Sequence, residues 1–334
     1  MRKNLDAFMN KPGTKIVILT LTNSCNLQCT YCYEHNKETE SMKLETALKI
    51  VEHEMTVDDG SDFVCLYYFG GEPFLEFETI KKIHSYMHSH TWSKGWFGFS
   101  TTNGTLVHGE IQDWLRENAS SMEVYVSLDG SREMHNRNRS GSFDQIDVEF
   151  FRDEYPFAKM TVTEATLPNL AAGVISLHEM GFEVSANLGY GIKWTEECPE
   201  TLAEQLQCLI EYYLEHPDIK PATILNLAIM DMEPGSQTPK RFCGVGPYMK
   251  SYDVDGQAFA PLCIGKDLAE EAKKLDFSCP LDPKNLDEKC QNCPVVGVCP
   301  TCYGINFGAC GNVYHINDDH CRMMKVQFLA NALF

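Results

Sequence analysis

The sequence predicts an α/β protein: a domain built on a six-stranded parallel sheet, followed by a smaller cysteine-rich domain. Three observations predict it. Short apolar, β-branched runs alternate with segments of helical apolar spacing from about residue 14 onward. Small-polar and glycine motifs follow the ends of these runs, where a parallel sheet keeps its chemistry. Nine of the fifteen cysteines lie beyond residue 240, in a stretch rich in turn residues.

Residues 15–22 (KIVILTLT) read as a buried strand. Residues 42–57 place Leu44, Ala47, Leu48, Val51 and Met55 at helical spacing. Further strands are predicted at 63–69, 96–102, 122–128, 157–164 and 182–190, and helices near 76–90, 108–119, 167–180 and 200–215. Strands alternating with helices favour a parallel sheet, because parallel neighbours need long crossovers. The motifs fall in order: Cys25 to Cys32 after the first strand, Gly70-Gly71-Glu72-Pro73 after the second, Asn103-Gly104 after the third, Asp129-Gly130 after the fourth. Met232 to Lys240 is turn-rich and reads as a linker. The expected boundaries are an extension over 1–13, an α/β domain over 14–232 and a cysteine-rich domain over 233–334. Residues 241–321 cannot build a large apolar core and need cross-links or metals. Asp318 to Phe334 is predicted helical.

Composition excludes several classes. Hydrophobic residues are 43% and charged residues 22%, so the chain is globular rather than disordered. The net charge is −19, which argues against nucleic acid as the main partner, since a backbone-phosphate binder needs a basic face. No apolar run approaches the length of a membrane span. Met1 to Pro12 is polar, and Ile16 to Leu19 is too short for a signal sequence. An odd cysteine count suits a complete disulfide framework poorly. A cytoplasmic setting is expected, in which clustered cysteines bind metal.

Cys25-Asn-Leu-Gln-Cys29-Thr-Tyr-Cys32 is a C-x3-C-x2-C loop. Four thiolates close a zinc or iron–sulfur site; here there are three, with His35 as a fourth ligand if the metal is zinc. Three thiolates on a [4Fe–4S] cluster instead leave one iron open to a ligand. The spacing, with the aromatic Tyr31 before the last cysteine, resembles the signature of the radical S-adenosylmethionine (AdoMet) superfamily. Phe69-Gly70-Gly71-Glu72-Pro73 resembles that family's GGEP segment, whose backbone and Glu meet the AdoMet ammonium. Two glycines at a strand end also let backbone approach a ligand closely. Ser100-Thr-Thr-Asn103-Gly104, and Val126-Ser127-Leu-Asp-Gly130 followed by His135-Asn-Arg137-Asn-Arg139, resemble the sulfatase- and peptide-maturase branch. There a Ser and an Arg hold the AdoMet carboxylate, and the matching positions are Ser127 and Arg139. Without that context, Arg137 and Arg139 read as a solvated loop.

The resemblance implies a partial (β/α)6 barrel, TIM-like, over about residues 14–230, with the cluster at its mouth. It also implies reductive cleavage of AdoMet to a 5′-deoxyadenosyl radical that takes hydrogen from a substrate.

Late in the chain, Cys290, Cys293, Cys299 and Cys302 form a C-x2-C-x5-C-x2-C run. Alone it fits zinc ribbons. With Cys243, Cys263, Cys310 and Cys321 around it, the run resembles the SPASM domain of radical AdoMet maturases, which carries two auxiliary [4Fe–4S] clusters. Two departures stand out: six residues rather than four separate Gly256 from Cys263, and Cys302 comes one residue early. The resemblance assigns Cys290, Cys293, Cys299 and Cys321 to one cluster. Cys243, Cys263 and Cys302 go to the other, with Cys279 preferred to Cys310 as fourth ligand, or none. Three clusters and AdoMet are therefore expected.

The function implied is crosslinking, as a carbon–sulfur thioether or a carbon–carbon bond, of a ribosomally made precursor peptide. A flavodoxin- or ferredoxin-type protein would supply the electron. A formylglycine-making sulfatase maturase is the alternative, although Ile264 follows Cys263 where that branch has an Asp base. A non-catalytic iron–sulfur or zinc protein would explain the cysteines but not Gly70–Pro73 or Ser127 and Arg139. Residues 1–13 are too few for a leader-binding domain.

Other candidates take plainer readings. His84 and His88, with His90, read as a solvated helix face, Cys65 as a buried thiol, and Asp58-Asp59 as a loop. Asp129 reads as a turn residue rather than a proton acceptor. Asn187, Tyr190 and Trp194 line a pocket or pack as aromatics. Cys198 and Cys208 carry no role.

Overall fold

The computed structural model describes residues 12–34, 37, 39–226, 248–259, 271, 283–299 and 302–334. The first six strands are β1 (Thr14–Thr22), β2 (Phe63–Gly70), β3 (Gly95–Thr102), β4 (Met122–Ser127), β5 (Phe157–Val162) and β6 (Glu183–Leu188). They lie side by side in chain order, each parallel to the next. This is the expected partial (β/α)6 barrel. The intervening helices are α1 (Leu44–Thr56), α2 (Phe77–Ser89), α3 (Glu110–Glu117), α4 (Arg132–Asn138), α5 (Val148–Glu154), α6 (Leu170–Glu179) and α7 (Cys198–Glu215). The short helices α4 and α5 lie outside the predicted set. Each holds only seven residues, too few for a helical period to show in the sequence.

The strand period of two sorts side chains to two faces. Val17, Leu19, Val64, Leu66, Val124, Met160 and Ala186 join the large core beneath the helices. Ile16, Ile18, Cys65, Tyr67, Phe97, Phe99 and Tyr125 form a second, aromatic cluster on the inner face. Both faces are thus apolar through most of the sheet, and β1 is buried along its whole length. Such burial is why these runs read as continuous apolar segments rather than alternating ones.

The sheet continues past the barrel. β7 (Met249–Tyr252) pairs in parallel with β1, and β8 (Ala258–Phe259) pairs antiparallel with β7. The cysteine-rich segment begins, then, as an extension of the barrel's own sheet. Beyond it come α8 (Glu288–Gln291), α9 (Tyr303–Cys310) and α10 (Asp318–Leu333). The last of these is the predicted C-terminal helix and packs on α7. No helix among the described residues is long and apolar enough to cross a membrane.

An ionic network centred on the buried Glu54 of α1 ties together β1, β7, the loop after α1 and the residue before β3. Lys15 Nζ donates to Glu54 and Asp59, each at 2.6 Å. Lys94 reaches Asp59 at 2.9 Å, and Lys250 reaches Glu54 at 3.1 Å. The Tyr252 hydroxyl also donates to Glu54, which is fully buried. Asp59 lies in an exposed loop, as read from the sequence, and joins the network from there. Burial works against the Glu54 charge, but Lys15, Tyr252 and Lys250 hold its carboxyl below the ordinary value.

Removing one partner of a buried ion pair costs about 3–5 kcal/mol. Glu54→Gln should therefore lose about 3 kcal/mol in chemical denaturation. Because the folded value is depressed, the difference from wild type should be full above about pH 4.5 and shrink as pH falls below it. An unchanged midpoint at pH 7 would show that the network contributes no stability.

His84 departs from its predicted solvated face. It is 1% exposed, with Nε2 3.0 Å from Ser121 Oγ, and its ring meets Trp96 and Trp114 edge-on. Burial pushes it down to about 3, so it is neutral. His88 stays at the surface and shares the same Ser121 hydroxyl at 3.1 Å. Two tryptophans distant in sequence cover His84, so helical spacing alone could not show its burial.

Candidate active site

The loop after β1 carries Cys25, Cys29 and Cys32, all half-buried. Every strand-end motif noted in the sequence grips this loop. Gly71 N–H donates to Thr22 O at 2.9 Å, and Glu72 N–H to Ser24 O at 2.8 Å. A Cβ on Gly71 would stand 2.3 Å from Ser24 O, and one on Gly70 (φ +146°) 2.2 Å from Thr22 O. The two glycines thus admit the cysteine loop against β2; the expected reason had been close approach of a ligand. Pro73 opens the short helical turn that follows, and is buried.

Asn103 sits beside the first cysteine. Its Nδ2 donates to Asn26 Oδ1 at 2.8 Å and lies 4.0 Å from Cys25 Sγ. Its Oδ1 accepts from Thr105, which in turn accepts from Asn26. Past β4, Thr30 N–H donates to Asn138 O and Gln28 N–H to Ser140 Oγ, both at 2.9 Å. Ser140, the one described non-glycine residue with positive φ, spends that strained conformation on holding the loop.

Glu72 is turned inward. Its oxygens accept from Phe74 N–H at 3.0 Å, the Thr102 hydroxyl at 2.9 Å and Asn103 N–H at 2.8 Å. Burial pushes this carboxyl up against those bonds. In this structure Glu72 buckles the end of β2 to the end of β3.

The main departure from the sequence reading is Asp129. It is fully buried and accepts from Thr161 N–H at 2.9 Å, the Tyr31 hydroxyl at 3.0 Å and Asn138 Nδ2 at 3.1 Å. Arg139 Nε stands 3.0 Å from the same carboxylate, at ion-pair distance but off hydrogen-bond alignment. The Arg139 guanidinium lies over the Tyr31 ring at 5.3 Å. Burial opposes the Arg139 charge, yet Asp129 more than restores it and holds the group above its usual range. His135 accepts from Asp129 N–H at 3.3 Å through Nδ1 and lies 3.1 Å from Ser142 Oγ through Nε2. Burial, with Arg139 nearby, pushes it down to about 4, so it serves as a neutral spacer. Arg137 is exposed, as a solvated loop residue would be. Ser127 ends β4 and is buried.

A second cysteine group lies in the C-terminal segment. Cys290, Cys293, Cys299 and Cys321 line one apolar cavity of about 60 Å³, walled by Val296 and Phe328. Cys302, half-buried at the start of α9, does not line it, and Cys310 is exposed. These are the four residues assigned together from the sequence. Cys243, Cys263 and Cys279, and His35 from the early loop, lie outside the described residues.

A larger cavity of about 310 Å³ separates the β6 loop from α9 and α10, lined by Tyr190, Lys193, Asn306, Asn317 and His320 among others. Tyr190 therefore faces a pocket, whereas Trp194 is buried in the main core. Asn187 is exposed, on the face of β6 opposite Ala186 and Leu188.

Six parallel strands with a three-cysteine loop at the C-terminal end of the first define a class, and the comparisons agree. A profile of the Radical SAM superfamily matches residues 19–206, and the chain belongs to that superfamily. Among curated relatives, the cysteine-type anaerobic sulfatase-maturating enzyme of Clostridium perfringens is 31% identical over 138 residues, 38% of this chain and 36% of that protein. The chain matches about a third to two fifths of the length of the first such relatives.

Two solved structures share the fold across nearly the whole chain. The complex of anSMEcpe with AdoMet and the Cp18Cys peptide has a TM-score of 0.70 at 19% identity, covering 96% of this chain and 98% of that one. Streptococcus suis SuiB bound to precursor peptide SuiA has a TM-score of 0.60 at 14% identity, covering 92% and 76%.

The superfamily implies a [4Fe–4S] cluster and AdoMet, and the donor set fits them. Burial pushes the Cys25 and Cys29 thiols up, opposed by Lys37 at the first and Arg139 at the second. Thiols so placed hold their protons until a metal displaces them. Cubane ligands bind different irons and so stand wider apart than ligands of one ion. Among the described residues, no three His, Cys, Asp or Glu side chains are gathered for a single ion.

Proposed function

We propose that this protein is a radical AdoMet maturase that crosslinks side chains of a ribosomally made precursor peptide. The observation that carries the reading is the convergence of Gly71, Asn103 and the Asp129–Arg139 pair on the three-cysteine loop, with a second four-cysteine cavity in the same chain. Cys25, Cys29 and Cys32 would hold the cluster that opens one iron to AdoMet; Ser127 and Arg139 would take the AdoMet carboxylate, with Tyr31 and Asn103 beside them. Cys290, Cys293, Cys299 and Cys321 would hold one auxiliary cluster. Cys243, Cys263, Cys302 and Cys279 would hold another. Bound together, cluster and AdoMet supply a hydrogen-abstracting radical after one-electron reduction by a flavodoxin- or ferredoxin-type partner.

The chain's own part is positional. Asp129 fixes Arg139, Tyr31 flanks it, and Glu72 keeps the two central strand ends in register. An Arg so fixed offers a carboxylate a planar fork rather than a wandering charge. Crosslinking removes two hydrogens from the peptide, and an auxiliary cluster would accept the second electron. The precursor peptide bound to SuiB supports a peptide substrate here.

Anaerobically reconstituted protein should hold about twelve irons with matching sulfide. With AdoMet and dithionite it should release 5′-deoxyadenosine, and a cognate peptide should lose the mass of two hydrogen atoms. Iron-free protein containing zinc would overturn the reading. Conversion of a cysteine-bearing sulfatase peptide to formylglycine would replace crosslinking with the sulfatase-type reaction.

A further inference from the structure

We propose that Lys159 is a carboxylate-binding residue on the inner face of the sheet, and that the acidic group it takes belongs to the peptide substrate. The inference deepens the maturase reading and rests on it. β5 sends Ala158, Met160 and Val162 into the helix-covered core, so Lys159 and Thr161 point the other way. Lys159 lies opposite Ser127 in the β4–β5 register, just below the mouth where the cysteine loop sits.

Its surroundings are all of one kind. Lys159 Nζ donates to Thr101 Oγ1 at 3.2 Å and lies over the Tyr125 ring at 5.2 Å. The Tyr67 hydroxyl donates to the same Thr101 oxygen at 2.9 Å. Among the described residues, no carboxylate stands at ion-pair distance from Lys159. Other lysines on or beside this sheet, Lys15, Lys94 and Lys250, do have such partners. An ammonium has three donors and no acceptor. One donor is used on Thr101, and that hydroxyl, already accepting twice, has only its own hydrogen left to give. The group therefore presents donors and positive charge on the face opposite the helices, and an anionic oxygen pair is what it lacks.

Loss of water around the side chain agrees with this, since burial pulls Lys159 down to about 8. A bound carboxylate would restore the charge. AdoMet also brings a carboxylate, but Arg139, in the loop beyond β4, is the residue proposed above for that one. The substrate class that follows is a peptide with an Asp or Glu side chain, or a C-terminal carboxylate, beside the residue being modified.

The test uses reconstituted holoenzyme with 13Cε-labelled lysine, Lys159→Arg assigning the resonance by its disappearance. N-acetylglutamate α-amide is the probe and N-acetylglutamine amide the uncharged control. A saturable shift with the acid, at least tenfold weaker with the amide, is expected. Lys159→Met should bind the acid at least tenfold more weakly than wild type.

No shift, or equal shifts with both probes, would overturn the proposal. So would a tenfold loss of AdoMet affinity in Lys159→Met, which would give the ammonium to the cofactor. Release of 5′-deoxyadenosine by the wild type, measured alongside, tests the maturase reading separately.

Discussion

Changing Cys25, Cys29 or Cys32 singly to serine is expected to drop 5′-deoxyadenosine formation to background while leaving the fold intact. The two halves of this expectation have different physical sources. Stability is spared because the thiols contribute little to it. Among the described contacts, Cys25 Sγ accepts only a 3.4 Å bond from Leu27 N–H and a 4.0 Å approach from Asn103. The loop's place is set by backbone bonds from Gly71, Glu72, Gln28 and Thr30, none of which a serine disturbs. Activity is lost because three thiolates are the least that hold a cubane with one open iron, and serine is a poor iron ligand. Iron content should fall by about four per chain, with thermal unfolding within a few degrees of wild type. A serine variant with wild-type iron and undiminished AdoMet cleavage would remove this loop from the chemistry.

Asp129→Asn should be nearly as damaging, by another route. The substitution keeps the size of the side chain but removes the charge and turns an amide toward donors. Tyr31, Asn138 and Thr161 all donate to the carboxylate, and Arg139 pairs with it. A buried guanidinium without its counter-ion costs about 3–5 kcal/mol. We expect that loss in denaturant unfolding and at least a tenfold loss of AdoMet affinity, because Arg139 is no longer fixed. Asp129→Glu should recover part of the stability and little of the affinity. AdoMet binding at wild-type strength in the Asn variant would show that the pair is structural only.

How much of this was legible beforehand follows from range. The six strands were legible because each is a continuous apolar run, and the loop cysteines because their spacing is local. The grouping of Cys290, Cys293, Cys299 and Cys321 was legible by resemblance, and the structure puts them on one cavity. Asp129 was not, since its importance comes from partners up to 98 residues away, and a carboxylate after a strand looks like any turn residue. Lys159 was hidden for a similar reason: an inward-facing lysine in a strand reads as a surface one until the helices are known to cover the opposite side. His84 was misread because the groups that bury it, Trp96 and Trp114, lie on different elements.

The pairing of β7 with β1 bears on how the molecule can be divided. Without β7, the flank of β1 would be a bare ribbon of unpaired amides and carbonyls beside its apolar side chains, the kind of rim on which chains stick to one another. The barrel therefore borrows its seal from the segment that carries the later cysteines. Cutting between them would leave an adhesive border rather than two tidy modules.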